Sequence, residues 1–145
     1  MLFFRVTAAA LMVLATVIPV NLAIAQDVSG KIGLELNHVQ PNQAGGCRLS
    51  VIATNGLERP IDKLGLELVV FNKDGIIDRL MRLDLRRMSA GKTKVQQFDL
   101  TDVPCDGLSR LHINDVLNCV PPAITGVYCP DLLELSNRTS VQFGD

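Results

Sequence analysis

Between Lys31 and Phe143 apolar side chains return at every second position, in short runs separated by Gly, Pro, Asn and Asp. That spacing fits half-buried strands, whose side chains alternate between two faces. In "KIGLELNHV", Ile32, Leu34 and Leu36 alternate with Gly33, Glu35 and Asn37. In "CRLSVIATN", Cys47, Leu49, Val51 and Ala53 share one face, and in "LGLELVVFN" Leu64, Leu66, Leu68 and Val70 do the same. Between the last two lies "NGLERP", a loop carrying Gly and Pro.

The stretch "VVFNKDGII" sets a polar turn, Asn72 to Gly75, between two apolar runs. Gly75 supplies the positive φ that such a turn demands, so a hairpin is expected. The next segment, "IIDRLMRLDLRRM", is ambiguous by pattern alone. As a helix it puts Ile77, Leu80, Met81, Leu85 and Met88 on one stripe with Asp84 as the misfit. As a strand it faces Ile77, Met81, Leu83 and Leu85 inward with Arg79 as the misfit, and Asp78, Arg82, Asp84 and Arg86 outward. The tight turn just before it favours a strand returning along its neighbour. After "SAGK", "TKVQQFDL" reads as a strand burying Phe98 and Leu100, and "LSRLHINDV" as one burying Leu111 and Ile113. "LLELSNRTSVQF" reads as a final strand through Leu133, Leu135, Thr139, Val141 and Phe143. About seven short strands at this spacing predict an all-β, immunoglobulin-like antiparallel β-sandwich.

The run "ATNGLERPIDKLGLELVVFNKDGIID", followed by "MSAGKTKVQQFDL", resembles the FxLYD-type and related immunoglobulin-like domains of bacterial envelope proteins. Those domains share a strand ending in Asn, a strand running into a Gly-containing turn, and a Phe-bearing strand after a second turn. Phe71 stands where tyrosine is usual and Asn72 where an acid is. The chain also resembles small proteobacterial exported proteins labelled as carrying a twin-arginine signal, although its leader holds only Arg5. The resemblance implies a fold and an envelope setting, and it brings no catalytic residues with it.

The setting has its own support at the start of the chain. Met1 to Ala25 has the layout of a secretory leader: Arg5, an apolar run from Val6 to Val20, and Ala23-Ile24-Ala25 before Gln26. A retained membrane anchor is the competing reading, because about 20 apolar residues can cross a bilayer. Pro19, Asn21 and the small residues at the boundary favour cleavage, leaving residues 26–145 as one domain with no membrane span. Losing Arg5 takes lysine plus arginine from 14 to 13 against 15 acids, a net charge of −2. Such a balance offers no general field for nucleic acid. There is no tryptophan and one tyrosine, Tyr128, so stacking platforms are scarce. Phe71, Phe98 and Phe143 are expected in the core.

Four cysteines, Cys47, Cys105, Cys119 and Cys129, suit two disulfides in an oxidising compartment. The absence of C-x-x-C spacing speaks against a thioredoxin-type site, and no close pair suits structural zinc. Of the three pairings, Cys47 with Cys105 and Cys119 with Cys129 is favoured. The second closes a short loop around Pro121-Pro122, and the first is worth about 4 kcal/mol in the chain-entropy model.

Catalytic patterns fail one by one. "AGKT" lacks the earlier glycine and the following helix of a P-loop, and no G-x-S-x-G or H-E-x-x-H occurs. A soft copper site from His38, His112 and Met81 or Met88 is the sharpest metal candidate, but lone histidines and mid-chain methionines usually serve surface and core. Asp74, Asp78, Asp99 and Asp102 flank turns, where Asp hydrogen-bonds its own backbone. Asn137-Arg138-Thr139 matches a glycosylation acceptor, which in a bacterial protein would carry no sugar. The most suggestive feature is the cluster Arg79, Arg82, Arg86 and Arg87. On a strand Arg82 and Arg86 share one face, either as a ladder balanced by Asp78 and Asp84 or as a contact for an anionic partner.

The expectation is a non-enzymatic periplasmic or secreted interaction module without a cofactor, meeting an envelope protein partner by strand addition at one of its edges. A small ligand carrier, an enzyme of unfamiliar type, and a protease inhibitor inserting "AITGVY" from the Cys119–Cys129 loop are the alternatives. The oligomeric state is open at this point.

Overall fold

The computed structural model describes residues 30–120 and 129–144. The leader and the "AITGVY" segment lie outside the described residues. Among these residues eight strands form: β1 (Ile32–Pro41), β2 (Cys47–Asn55), β3 (Ile61–Asn72), β4 (Ile77–Met88), β5 (Thr93–Leu100), β6 (Leu108–Val120), β7 (Leu133–Asn137) and β8 (Gln142–Gly144). Short 3₁₀ turns, Cys105–Gly107 and Cys129–Leu132, precede β6 and β7. The first sheet has the order β5-β2-β1-β7 and the second β4-β3-β6-β8. Pairing of the second strand with the fifth, and of the third with the sixth, across two sheets is the immunoglobulin-like connectivity.

The period-two pattern explains the layers. Ile32, Leu34 and Leu36 of β1, Leu49 and Val51 of β2, and Leu64, Leu66, Leu68 and Val70 of β3 are all buried. They meet Leu83 and Leu85 of β4, Leu100 of β5 and Leu111 of β6 in one core. Each such side chain stabilises the fold by roughly 1.5–3 kcal/mol as an upper estimate. The ambiguous segment is strand, paired antiparallel to β3 from Ile61 opposite Met88 to Val70 opposite Arg79. A helix there would have left the β3 edge without its ladder.

Three expectations need correction. The predicted final strand is two, one in each sheet. Asn137 breaks it: its side-chain oxygen accepts from Thr139 N at 2.8 Å and its amide donates to Val141 O at 2.6 Å. This local turn competes with the ladder and carries the chain from one sheet to the other. Nor is the sandwich wholly antiparallel, because β7 lies parallel to β1 and β8 parallel to β6. Finally, Ile77 is 54% exposed where an inward position was expected. Asp78 is an extra residue between the pairs Val70–Arg79 and Phe71–Ile77, and this bulge turns Ile77 outward.

Two asparagines organise the ends of β3 and β4. At the hairpin, Asn72 Oδ1 accepts from Asp74 N and Ile76 N, each at 3.0 Å, while Gly75 takes φ 74°. At the opposite end Asn55, fully buried, holds the crossing from β4 to β5. Its amide nitrogen lies 2.8 Å from Arg59 O, 3.1 Å from Met88 O and 3.2 Å from Ser89 O, and its Oδ1 accepts from Leu57 N. The two cysteine bridges are Cys47–Cys105 and Cys119–Cys129, with Cα separations of 4.7 and 6.5 Å.

Candidate functional site

The outward face of β3 consists of Lys63, Gly65, Glu67, Val69 and Phe71, alternating with its core residues. Register carries rows across three strands. Toward the hairpin, Ile77, Phe71 and Arg110 form one row and Leu80, Val69 and His112 the next. Further along come Arg82, Glu67 and Asp115, then Asp84, Gly65 and Asn118, then Arg86, Lys63 and Val120. The face therefore grades from apolar at one end to charged at the other.

At the apolar end Ile76 is 62% and Leu80 56% exposed, beside Ile77. Val69 points outward yet is 5% exposed and stands apart from the central core, so these residues begin a second, smaller apolar patch. Phe71, expected in the core, belongs to this face instead. The Arg110 guanidinium lies 4.0 Å above its ring centre, a cation–π contact.

Arg82 and Arg86 do share the outer face. Arg82 Nε is 3.4 Å from Asp84 Oδ1, both half exposed, and faces Glu67 across the ladder. Glu67 also accepts from Asn114 Nδ2 at 2.6 Å. Arg79 pairs with Asp78, and Arg87 lies 3.5 Å from Asp62. Arg86 stands opposite Lys63 and makes no ion pair among the described residues. Two cations in register repel. At Gly65 an added Cβ would lie 3.0 Å from Asp84 Oδ1 and 3.2 Å from Asn118 Nδ2, so the missing side chain gives those polar groups their place.

Leu80 was legible on the polar face from strand parity alone, one position between Asp78 and Arg82. What pattern did not show is that β4 is an edge, with no strand hydrogen-bonded on its far side among the described residues.

The histidines do not come together. His38 borders a cleft of about 390 Å³ with Asn37, Asp106, Arg138 and Ser140, whereas His112 borders a hollow of about 220 Å³ with Arg110, Gln142 and Phe143. Met88 is fully buried in the core and Met81 packs against it, so neither completes a site with them. Among the described residues no three His, Cys, Asp or Glu side chains gather to hold a metal. In the larger cleft Arg138 is already engaged, its Nε 3.0 Å from Glu35 Oε2. The Asn37 amide, donating at 2.6 Å, and then Arg138 hold the Glu35 carboxyl below the usual range, against the opposing effect of partial burial.

Ala90 to Lys92 form the turn between β4 and β5, and Thr93 opens a strand, the geometry opposite to a P-loop's helix. No helix among the described residues is long and apolar enough to cross a membrane. Comparison with family models, curated proteins and solved structures returns no match.

Proposed function

We propose that this protein is an exported, non-enzymatic interaction module of an envelope assembly, working in the periplasm and binding through the β4 edge and the outer face beside it. The observation that carries this reading is the cluster of large aliphatic side chains, Ile76, Ile77 and Leu80, more than half exposed on the longest open edge among the described residues. Aliphatic surface on an unpaired strand is what a strand-adding partner covers: backbone groups provide affinity and alternate side chains provide choice. Arg82 and Arg86 would set the charge preference of that partner. Support for the compartment comes from the leader-like start and the two disulfides, which persist where thiols are oxidised.

The ligand-carrier alternative would use the cleft at Arg138, a weaker candidate because its cation is already paired with Glu35. A photo-crosslinking residue at position 80, compared with one at Val95, tests the main reading in the native host. Adducts are expected from position 80, on a mature chain beginning at Gln26. No adduct from 80, or a cytoplasmic chain retaining Met1, would overturn it.

A further inference from the structure

Resting on the reading of β4 as the contact edge, we propose that its partner is the β4 strand of a second copy of this chain. The two strands run antiparallel about a two-fold axis at Leu83, joining both second sheets into one.

Of the four outer strands among the described residues, β7 and β8 span five and three residues, too short to template much. The β5 edge is guarded, since Lys94 and Gln96 occupy core-facing positions opposite Ala53 and Val51. Inward-pointing charge is a device that blocks edge pairing. On β4 the corresponding central positions, Met81, Leu83 and Leu85, are apolar, and an inward charge, Arg79 opposite Val70, stands near the hairpin end, part-exposed and paired with Asp78. A neighbouring strand along Met81 to Leu85 extends the interior and meets no inward charge there.

The outward residues then select the register. Opposed residues must share a face, so the two-fold axis passes through a residue position. An axis at Arg82 sets that arginine against itself, and one at Asp84 does the same for the aspartate. An axis at Met81 opposes Asp78 to the second copy's Asp84, and one at Leu85, though it pairs Asp84 with the second Arg86, sets buried Leu83 against a charged Arg87. With the axis at Leu83, Arg82 faces the second copy's Asp84 and Asp84 faces its Arg82, two ion pairs generated by one symmetry. Leu80 lies against the aliphatic stem of the other Arg86, the cation that stands opposite Lys63 and makes no ion pair among the described residues. Inside, Met81 meets Leu85 and Leu83 meets Leu83. Each ion pair is continued by Glu67 behind Arg82, so charge alternates across the junction. The ends bring Arg79 toward the second Arg87, and each is already held by its own acid, Asp78 and Asp62.

The test uses the mature chain in sedimentation velocity over a concentration series at low salt. Wild type is expected to dimerise. Arg82→Asp sets four acids at the junction and Asp84→Arg four arginines, so each variant alone should self-associate about tenfold more weakly or worse. Mixed in equal amounts, the two variants regain both ion pairs and should form a heterodimer. Both side chains are half exposed, and unchanged thermal unfolding of each monomer separates lost association from lost folding. A monomeric wild type, variants that still self-associate, or a mixture that stays monomeric would each overturn the proposal. A monomer that nevertheless crosslinks from position 80 to a different envelope protein would sink the second-copy partner while sparing the interaction reading.

Discussion

The two long edges of this sandwich have comparable backbones and opposite defences. β5 turns Lys94 and Gln96 toward the interior and ends at Leu100, opposite Cys47, whose bridge to Cys105 closes the chain just beyond it. β4 turns Met81, Leu83 and Leu85 inward, exposes Leu80 and Ile77, and has no covalent tie of its own. One edge is sealed by polarity and sulfur, the other left apolar beneath a row of alternating charge. Edges of the second kind invite pairing unless something covers them. The contrast teaches that charge on a strand's outer face is not by itself protection: its sign order determines which partner is admitted.

The largest expected effect tests the tie on the sealed side. Replacing Cys47 and Cys105 together with Ala releases a closure spanning 58 residues, and should lower stability by about 4 kcal/mol in denaturant titration. Hydrogen exchange should quicken first in β2 and β5, because the bridge anchors their shared end. Equal early loss in the β3–β4 hairpin would mean that the bridge serves the whole sandwich and that the contrast between edges is not one of covalent restraint.

Much of this architecture is legible in the sequence, for reasons of local physics. β1 to β6 follow from alternation and from turns whose chemistry is local, such as Asn72-Lys73-Asp74-Gly75. The final strand was misread although "SNRTS" carried the warning: Asn137 prefers hydrogen bonds two and four residues ahead to the ladder. Parallel neighbours for β1 and β6 depend on where a long connection returns, which no local pattern specifies. Arg82 and Arg86 were placed on the correct face by parity. Ile77 was not, because one extra residue at Asp78 reverses every assignment before it. Asn55 was visible only as a strand-ending Asn, and its hydrogen bonds to Arg59, Met88 and Ser89 exist only once three segments converge.

A smaller effect on folding, with a plain effect on association, comes from exchanging the guards. Lys94→Val with Gln96→Val removes the polar groups facing the interior of β5 and puts β-branched strand formers in their place. Stability should change by about 1 kcal/mol or less, as for surface substitutions away from buried networks. The variant should nonetheless form new oligomers by sedimentation, through an edge inert in the parent. A variant that keeps the parent's association state would show that β5 is protected by something other than its inward side chains.

The smallest effect concerns the ion pair that β5 makes within its own sheet. Arg48 donates from Nε and Nη2 to the two carboxylate oxygens of Asp99, both at 2.8 Å, on an exposed face. These bonds, and to a lesser degree the guanidinium's charge, hold the Asp99 carboxyl below the ordinary carboxylate range against the opposing effect of desolvation. A depressed folded-state value means that the stabilising contribution is complete above the unfolded-state pKa and disappears as pH falls through the folded one. Asp99→Asn should therefore flatten the acid end of the stability profile slightly, and NMR titration of the Asp99 carboxyl should find it more acidic than a free aspartate. Because Arg48 and Asp99 belong to neighbouring strands of one chain, this acid limb should be independent of protein concentration. A limb that moved with concentration would place the pair at an interface, and β5 would then be the edge that meets a partner.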